Sequence, residues 1–165
     1  MARPAATKTR PPEQRSAVRE ELRILVERPA QLASFRRRLR ALLVRRGLRD
    51  EEREVIVLAA DEALSNALQG CAAADCQIVV IVSLLGGYVC VEVRDADERF
   101  QGVCLDLIEL PGESAEHGRG LYLMRTLMES LELVPRKRGT LVRMIKKLEA
   151  EERGEEPKDA ERLAS

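Results

Sequence analysis

The order of segments along this chain, β-α-α-β-β-loop-α-β-β, predicts an α+β domain built as a two-layer sandwich, a mostly antiparallel sheet covered on one face by helices. Three observations carry that prediction. Two pairs of β-rich runs are each joined by a glycine-containing turn, which is the signal of antiparallel hairpins. Between and before them lie segments whose apolar residues recur at three and four positions, the period of amphipathic helices. The chain has 165 residues, 45% of them hydrophobic, enough for a single domain to bury a core without staples.

Residues 1–17 mix Pro, Arg, Ala and Thr without period and read as a solvated tail, and the domain proper is expected over 18–148. Val18 to Glu27 is rich in Leu, Ile and Val and stops at Pro29, which predicts a strand and then a helix opening near that proline. Leu32, Phe35, Leu39 and Leu42 give this helix its apolar stripe, and Gly47 ends it. Asp50 is expected to cap a second helix over about 51–69 that ends at Gly70, with Glu51 and Glu52 at the positive end of its dipole. Gln77 to Leu85 and Tyr88 to Arg94 form the first hairpin across Gly86-Gly87. Residues 96–117, with Gly102, Pro111 and Gly112, read as a long irregular loop with room for one helical turn, a length that is usually either functional or disordered. Gly118 to Glu129 is the third helix. Leu131 to Pro135 and Thr140 to Lys147 make the second hairpin. Residues 149–165 hold seven acids against three bases and read as a charged tail.

Composition excludes several classes of function. No apolar run approaches the roughly 20 residues of a membrane helix, and MARPAATKTRPPEQR lacks the apolar core of a secretory signal, so the expected location is the cytoplasm and no membrane partner is expected. There the four cysteines, Cys71, Cys76, Cys90 and Cys104, are expected to stay reduced, and with one histidine, His117, and no C-x-x-C pair they do not read as a zinc site. Basic and acidic residues balance at 28 each and the only aromatics are Phe35, Tyr88, Phe100 and Tyr122, so a direct nucleic-acid role is weakly supported.

Four short segments could carry chemistry. In Asp61-Glu62-Ala63-Leu64-Ser65-Asn66-Ala67, Glu62 and Asn66 stand four apart and share one helix face. A carboxylate there can accept a proton and an amide oxygen can ligate Mg²⁺, a hard cation that takes oxygen; the plainer alternative is a polar stripe facing solvent. Asp95 ends a strand just before a turn, where it can accept from an exocyclic amine, although acids at strand ends are commonplace. Gly118-Arg119-Gly120-Leu121 opens a helix after a long loop, where free N–H groups make a phosphate site that glycine lets a ligand approach. Gly139-Thr140 enters the last strand and is in isolation a simple hairpin turn.

In this order the four segments resemble the N-box E-x-x-x-N, the two glycine boxes and the terminal G-T of the GHKL ATPase superfamily. Within it the chain is most similar to the small anti-sigma-factor serine kinases: Glu62-Ala63-Leu64-Ser65-Asn66-Ala67 looks like their E-A-x-x-N-A, and Gly118 to Met128 looks like their G-x-G-L-x-L-M-x-x-L-M. The likeness runs over about 22–148 and implies the Bergerat-type ATP-binding fold. It also implies ATP and Mg²⁺ as cofactors, with Glu62 as general base or hydroxyl-positioning carboxylate and Asn66 as the Mg²⁺ ligand. Asp95 would take the adenine amino group, Gly118, Arg119, Gly120 and Leu121 would cradle the phosphates, Thr140 would support the adenine end, and 96–117 would be the ATP lid. The chain departs from the family's D-x-G at Asp95-Ala96-Asp97, so that Asp97 puts a side chain and a charge beside the nucleotide. The implied activity is serine phosphorylation of an anti-sigma-factor antagonist of STAS type by a protein that also holds a sigma factor. A second copy of the chain, in a homodimer, is a further implied partner. The alternative is a non-catalytic GHKL-like interaction module that acts by holding a partner.

One further feature is the run from Phe35 to Arg49, which contains Arg36, Arg37, Arg38, Arg40, Arg45, Arg46 and Arg49 and no acid. It reads either as a solvated helix face or as a docking surface for an acidic partner.

Overall fold

A computed structural model of the chain describes residues 19–71, 77–96 and 119–149. Its elements are β1 (Arg19–Val26), α1 (Leu32–Arg45), α2 (Asp50–Gly70), β2 (Ile78–Leu85), β3 (Tyr88–Arg94), α3 (Arg119–Leu127), β4 (Ser130–Pro135) and β5 (Thr140–Lys147). The five strands form one sheet in the order β1-β2-β3-β5-β4, and every neighbouring pair is antiparallel.

Alternation of side chains along each strand explains the two layers. In β3, Val89, Val91 and Val93 are buried while Cys90, Glu92 and Arg94 between them are not, the period of two that a sheet with one covered face imposes. Ile24 and Val26 of β1, Val80 and Val82 of β2, and Val142 and Met144 of β5 lie on the same covered face, against Phe35, Leu39 and Leu43 of α1 and Ile56, Ala60 and Leu64 of α2. Full burial of each large side chain contributes roughly 1.5–3 kcal/mol, so this seam is the main source of stability. α3 adds Met124 and is packed chiefly on α2.

Local chemistry sets the boundaries. Pro29–Gln31 is a short 3₁₀ turn in which Gln31 Oε1 accepts the N–H groups of Glu27 and Arg28 at 2.8 and 2.9 Å, so the regular helix begins only at Leu32. Gly47 has φ +73°, the left-handed residue that ends α1. Gly86 and Gly87 both have positive φ, at 48° and 85°, as a two-residue turn matched to strand twist requires. One expected cap is corrected: Arg49, extended at ψ 156°, holds the N-cap position and Asp50 is the first helical residue. The group satisfying the helix start is Glu52, whose Oε2 accepts the Arg49 N–H at 3.1 Å. The expectation that all four cysteines stay reduced is also corrected, because Cys71, at the end of α2, is disulfide-bonded. Compartment decides whether a disulfide persists, but only the fold decides which sulfurs meet. Cys90 is a free thiol, half-buried on the uncovered face of the sheet, and burial followed by the nearby Glu92 carboxylate pushes its pKa up.

The uncovered face carries a charge ladder across three strands. Glu92 accepts from Arg94 Nη2 at 2.5 Å and from Arg143 Nε at 2.9 Å, and Arg143 also donates to Glu132 at 3.1 Å. Desolvation tends to raise the Glu92 pKa, but the hydrogen bonds from Arg94 and Arg143 outweigh it and hold the carboxyl below its ordinary value.

Candidate functional site

The end of the sheet where β3 finishes and β5 starts collects the polar residues singled out by sequence. Arg94 pairs with both Val79, at the start of β2, and Leu141, at the start of β5. α2 delivers the chain to β2, and α3 leads away to Ser130, which pairs with Ile145 near the opposite end of β5. The second half of α2, the first turn of α3, Asp95 and Thr140 therefore converge on one end of the domain.

On α2, two adjacent acids are sent to different partners. Asp61 accepts from Arg36 Nε of α1 at 2.6 Å and is thereby consumed in holding the two helices together. Glu62, one residue on, turns 100° around the helix toward α3. Asn66 comes one turn later, and both are half-buried. Their approach to α3 is measured by Gly120: a Cβ there would lie 2.7 Å from Asn66 Nδ2 and 2.9 Å from Glu62 Cδ, and closer still to Glu62 Oε1. Only glycine fits in that position with these side chains where they are. The carboxylate, the amide and the first turn of a helix thus form one cluster, and the first-turn N–H groups have no acceptor within their own helix.

The second cluster joins β3 to β5. Asp95 and Thr140 are buried, at 5% and 1% exposure. Asp95 donates its N–H to the Thr140 carbonyl at 3.1 Å, and Asp95 Oδ1 accepts the Thr140 N–H at 3.1 Å. Burying a carboxylate this deeply demands such compensation. Gly139 enters the sequence reading only as the turn residue of the Gly139-Thr140 pair, with no role of its own. It has φ +80°, and a Cβ on it would meet the Asp95 and Ala96 backbone, at 2.5 Å from Ala96 Cα and 2.6 Å from the Asp95 carbonyl carbon. The signal was present in the Gly139-Thr140 pair, but a turn glycine and a close-approach glycine look alike in one dimension.

Of the other expected residues, Arg119 is exposed at the first position of α3, and Leu121 packs its side chain against the core, so only its backbone is available to a ligand. Asp97, Gly118, His117, Cys76, Cys104 and the expected lid beyond Ala96 lie outside the described residues, as do both expected tails apart from Glu149.

A five-stranded antiparallel sheet under a helical layer, with glycine-spaced polar clusters at one end, is the architecture of the GHKL-type ATPase fold. Residues 25–146 match the family model described as the histidine kinase-like ATPase domain, and the chain belongs to that family. Among solved structures it is similar to the RsbU and RsbW domains of Rv1364c from Mycobacterium tuberculosis. The TM-score is 0.57 at 21% identity, over 78% of this chain and 33% of that one. The chain thus spans about a third of the length of that structure. No curated protein matches it. Among the described residues no helix is long and apolar enough to cross a membrane.

Proposed function

We propose that the chain binds Mg·ATP, phosphorylates a serine of a STAS-type anti-sigma-factor antagonist, and otherwise holds a sigma factor. The observation that supports this reading best is the close packing of Glu62 and Asn66 on Gly120 at the start of a nine-residue helix. The donor types fit the ligands. An amide oxygen suits Mg²⁺, which keeps most of its water and shares the phosphate oxygens, and helix N-terminal N–H groups suit phosphate. Among the described residues no three His, Cys, Asp or Glu groups gather to hold an ion by themselves, so a cation here would depend on that sharing.

Bound nucleotide supplies the transferable phosphoryl group, and its metal neutralises the charge that develops on it. What remains for the chain is positioning and proton removal. Glu62 accepts the proton of the serine hydroxyl, Asn66 presents its amide oxygen to the cation, and the first turn of α3 directs N–H groups, with the exposed Arg119 beside them, at the phosphates. Asp95, locked by Thr140, is held ready to accept an amino hydrogen of adenine. A homodimer and a cytoplasmic location belong to the same reading, which rests on the sequence resemblance and is supported by family membership and by the likeness to a structure that contains an RsbW domain.

The test is a Mg·ATP titration followed by phosphoryl transfer to a STAS-type antagonist. Glu62→Gln is expected to keep nucleotide affinity within about threefold while transfer falls by about 10²–10⁴, the range for a lost general base. Asn66→Ala is expected to lose the tightening that Mg²⁺ gives. Parental transfer by Glu62→Gln removes Glu62 from the mechanism. A parental chain that binds no Mg·ATP favours the rival reading, a module that acts by holding its partner.

A further inference from the structure

The arginine-rich run at 35–49 is divided by the structure into two groups. Arg36 and Arg40 face α2, where Asp61 and Glu54 neutralise them at 2.6 and 2.9 Å. They line a groove of about 400 Å³ with Val55 and Leu58, and its charges are already matched. Arg46 pairs with Glu21, and Arg49 with Glu52 and Glu149. Arg37, Arg38 and Arg45 remain. All three are exposed: Arg37 lies opposite Phe35 and Leu39 beside Val44 at 55% exposure, Arg38 and Arg45, seven residues apart, lie on the flank of α1 away from Arg36 and Arg40, and none has a carboxylate partner among the described residues. That surface is basic with Val44 at its edge, and nothing described covers it.

Its position relative to the end of the domain identifies an occupant. After β5, Leu148 donates its N–H to the Gly87 carbonyl at 2.8 Å. Glu149 then donates its N–H to Glu52 Oε1 at 2.9 Å and pairs with Arg49 Nη2 at 2.7 Å. These contacts fix the last described residues at the junction of α1 and α2. The remaining segment, 150–165, contains Glu151, Glu152, Glu155, Glu156, Asp159 and Glu161 against Arg153, Lys158 and Arg162. A random coil of that length spans roughly 22 Å on average. A 14-residue helix such as α1 is about 21 Å long.

We infer that the outer face of α1 is a docking surface for an acidic segment, and that its resident occupant is residues 150–165 of the same chain, led onto it by the Glu149–Arg49 contact. Each exposed pair contributes little by itself. Tethering at Glu149 raises the local concentration to the millimolar range, so several weak pairs hold the segment in place together. Any acidic partner that uses α1 must first displace it, which makes the segment a built-in competitor. Such docking needs no nucleotide and stands apart from the kinase reading.

The test uses full-length chains and a synthetic peptide of residues 150–165, with binding followed by amide shifts of α1. In one variant the six acids of 150–165 become Gln or Asn; in the other Arg37, Arg38 and Arg45 become Gln. The peptide is expected to bind the tail-neutralised variant at least tenfold more tightly than the parental chain, whose own segment competes. That binding is expected to weaken steeply with salt and to vanish when the three arginines are also replaced. Equal peptide binding to the parental and tail-neutralised chains overturns the resident occupant. Binding that survives loss of the three arginines overturns the surface. A dimer that dissociates on tail neutralisation, read by sedimentation, shows the segment docking on a second copy and overturns the intrachain assignment. Unchanged thermal unfolding of both variants confirms that the fold is intact.

Discussion

Gly120→Ala separates positioning from folding more cleanly than removal of Glu62 itself. The added Cβ would sit 2.7 Å from Asn66 Nδ2, 2.9 Å from Glu62 Cδ and nearer still to Glu62 Oε1, so the Glu62 carboxylate has to leave its place. The obstructing atoms are side-chain ends, which can rotate. Moving them off their preferred geometry costs about 0.5–1.5 kcal/mol. Against this, alanine at the second position of α3 gains up to about 1 kcal/mol in helix propensity over glycine. The two nearly cancel, so unfolding in urea is expected to change by less than about 1 kcal/mol. Phosphoryl transfer is expected to fall by about 10²-fold or more, because a displaced base loses the alignment on which its contribution depends. Transfer at the parental rate in Gly120→Ala, with stability unchanged, refutes the claim that this contact sets the position of Glu62.

Gly139→Ala is expected to behave differently, since the new Cβ meets the Asp95 and Ala96 backbone and the residue sits at φ +80°. Left-handed strain alone costs about 1–2 kcal/mol and the clash adds to it, so a loss of at least about 2 kcal/mol is expected by denaturant unfolding. Glu92 gives the acid dependence. Its folded pKa is depressed, so its contribution is present above the ordinary carboxylate pKa of about 4.3 and is lost as pH falls through the lower folded value. Glu92→Gln is expected to flatten the loss of stability below about pH 4.5, and an unchanged acid limb removes Glu92 from that role.

Much of the fold was legible in sequence because its signals are local. Strand alternation, Gly86-Gly87 and the three-and-four spacing of Phe35, Leu39 and Leu42 each act within a few residues, and they placed the five strands and three α-helices of the described residues to within a few positions. The motif spacing also picked out Glu62 and Asn66, because four residues is one turn of any helix. The cap of α2 was not legible, because Arg49 and Asp50 compete for one position and the winner depends on Glu52 and on backbone arriving from Glu149, far along the chain.

The rest depended on distance in space. No local rule says that β5 inserts between β3 and β4, yet that insertion puts Thr140 against Asp95 and gives Gly139 its second role. Nor could the arginines between 35 and 49 be sorted from sequence, since all seven carry the same charge. Reversing Arg36, Arg37 and Arg40 together would set two acids against Asp61 and Glu54 and disturb the α1–α2 seam. The sequence determined which residue types were available and on which helix face or strand face each would fall. The tertiary structure decided which charges are cancelled and which remain exposed, because that depends on what another part of the chain brings within about 4 Å.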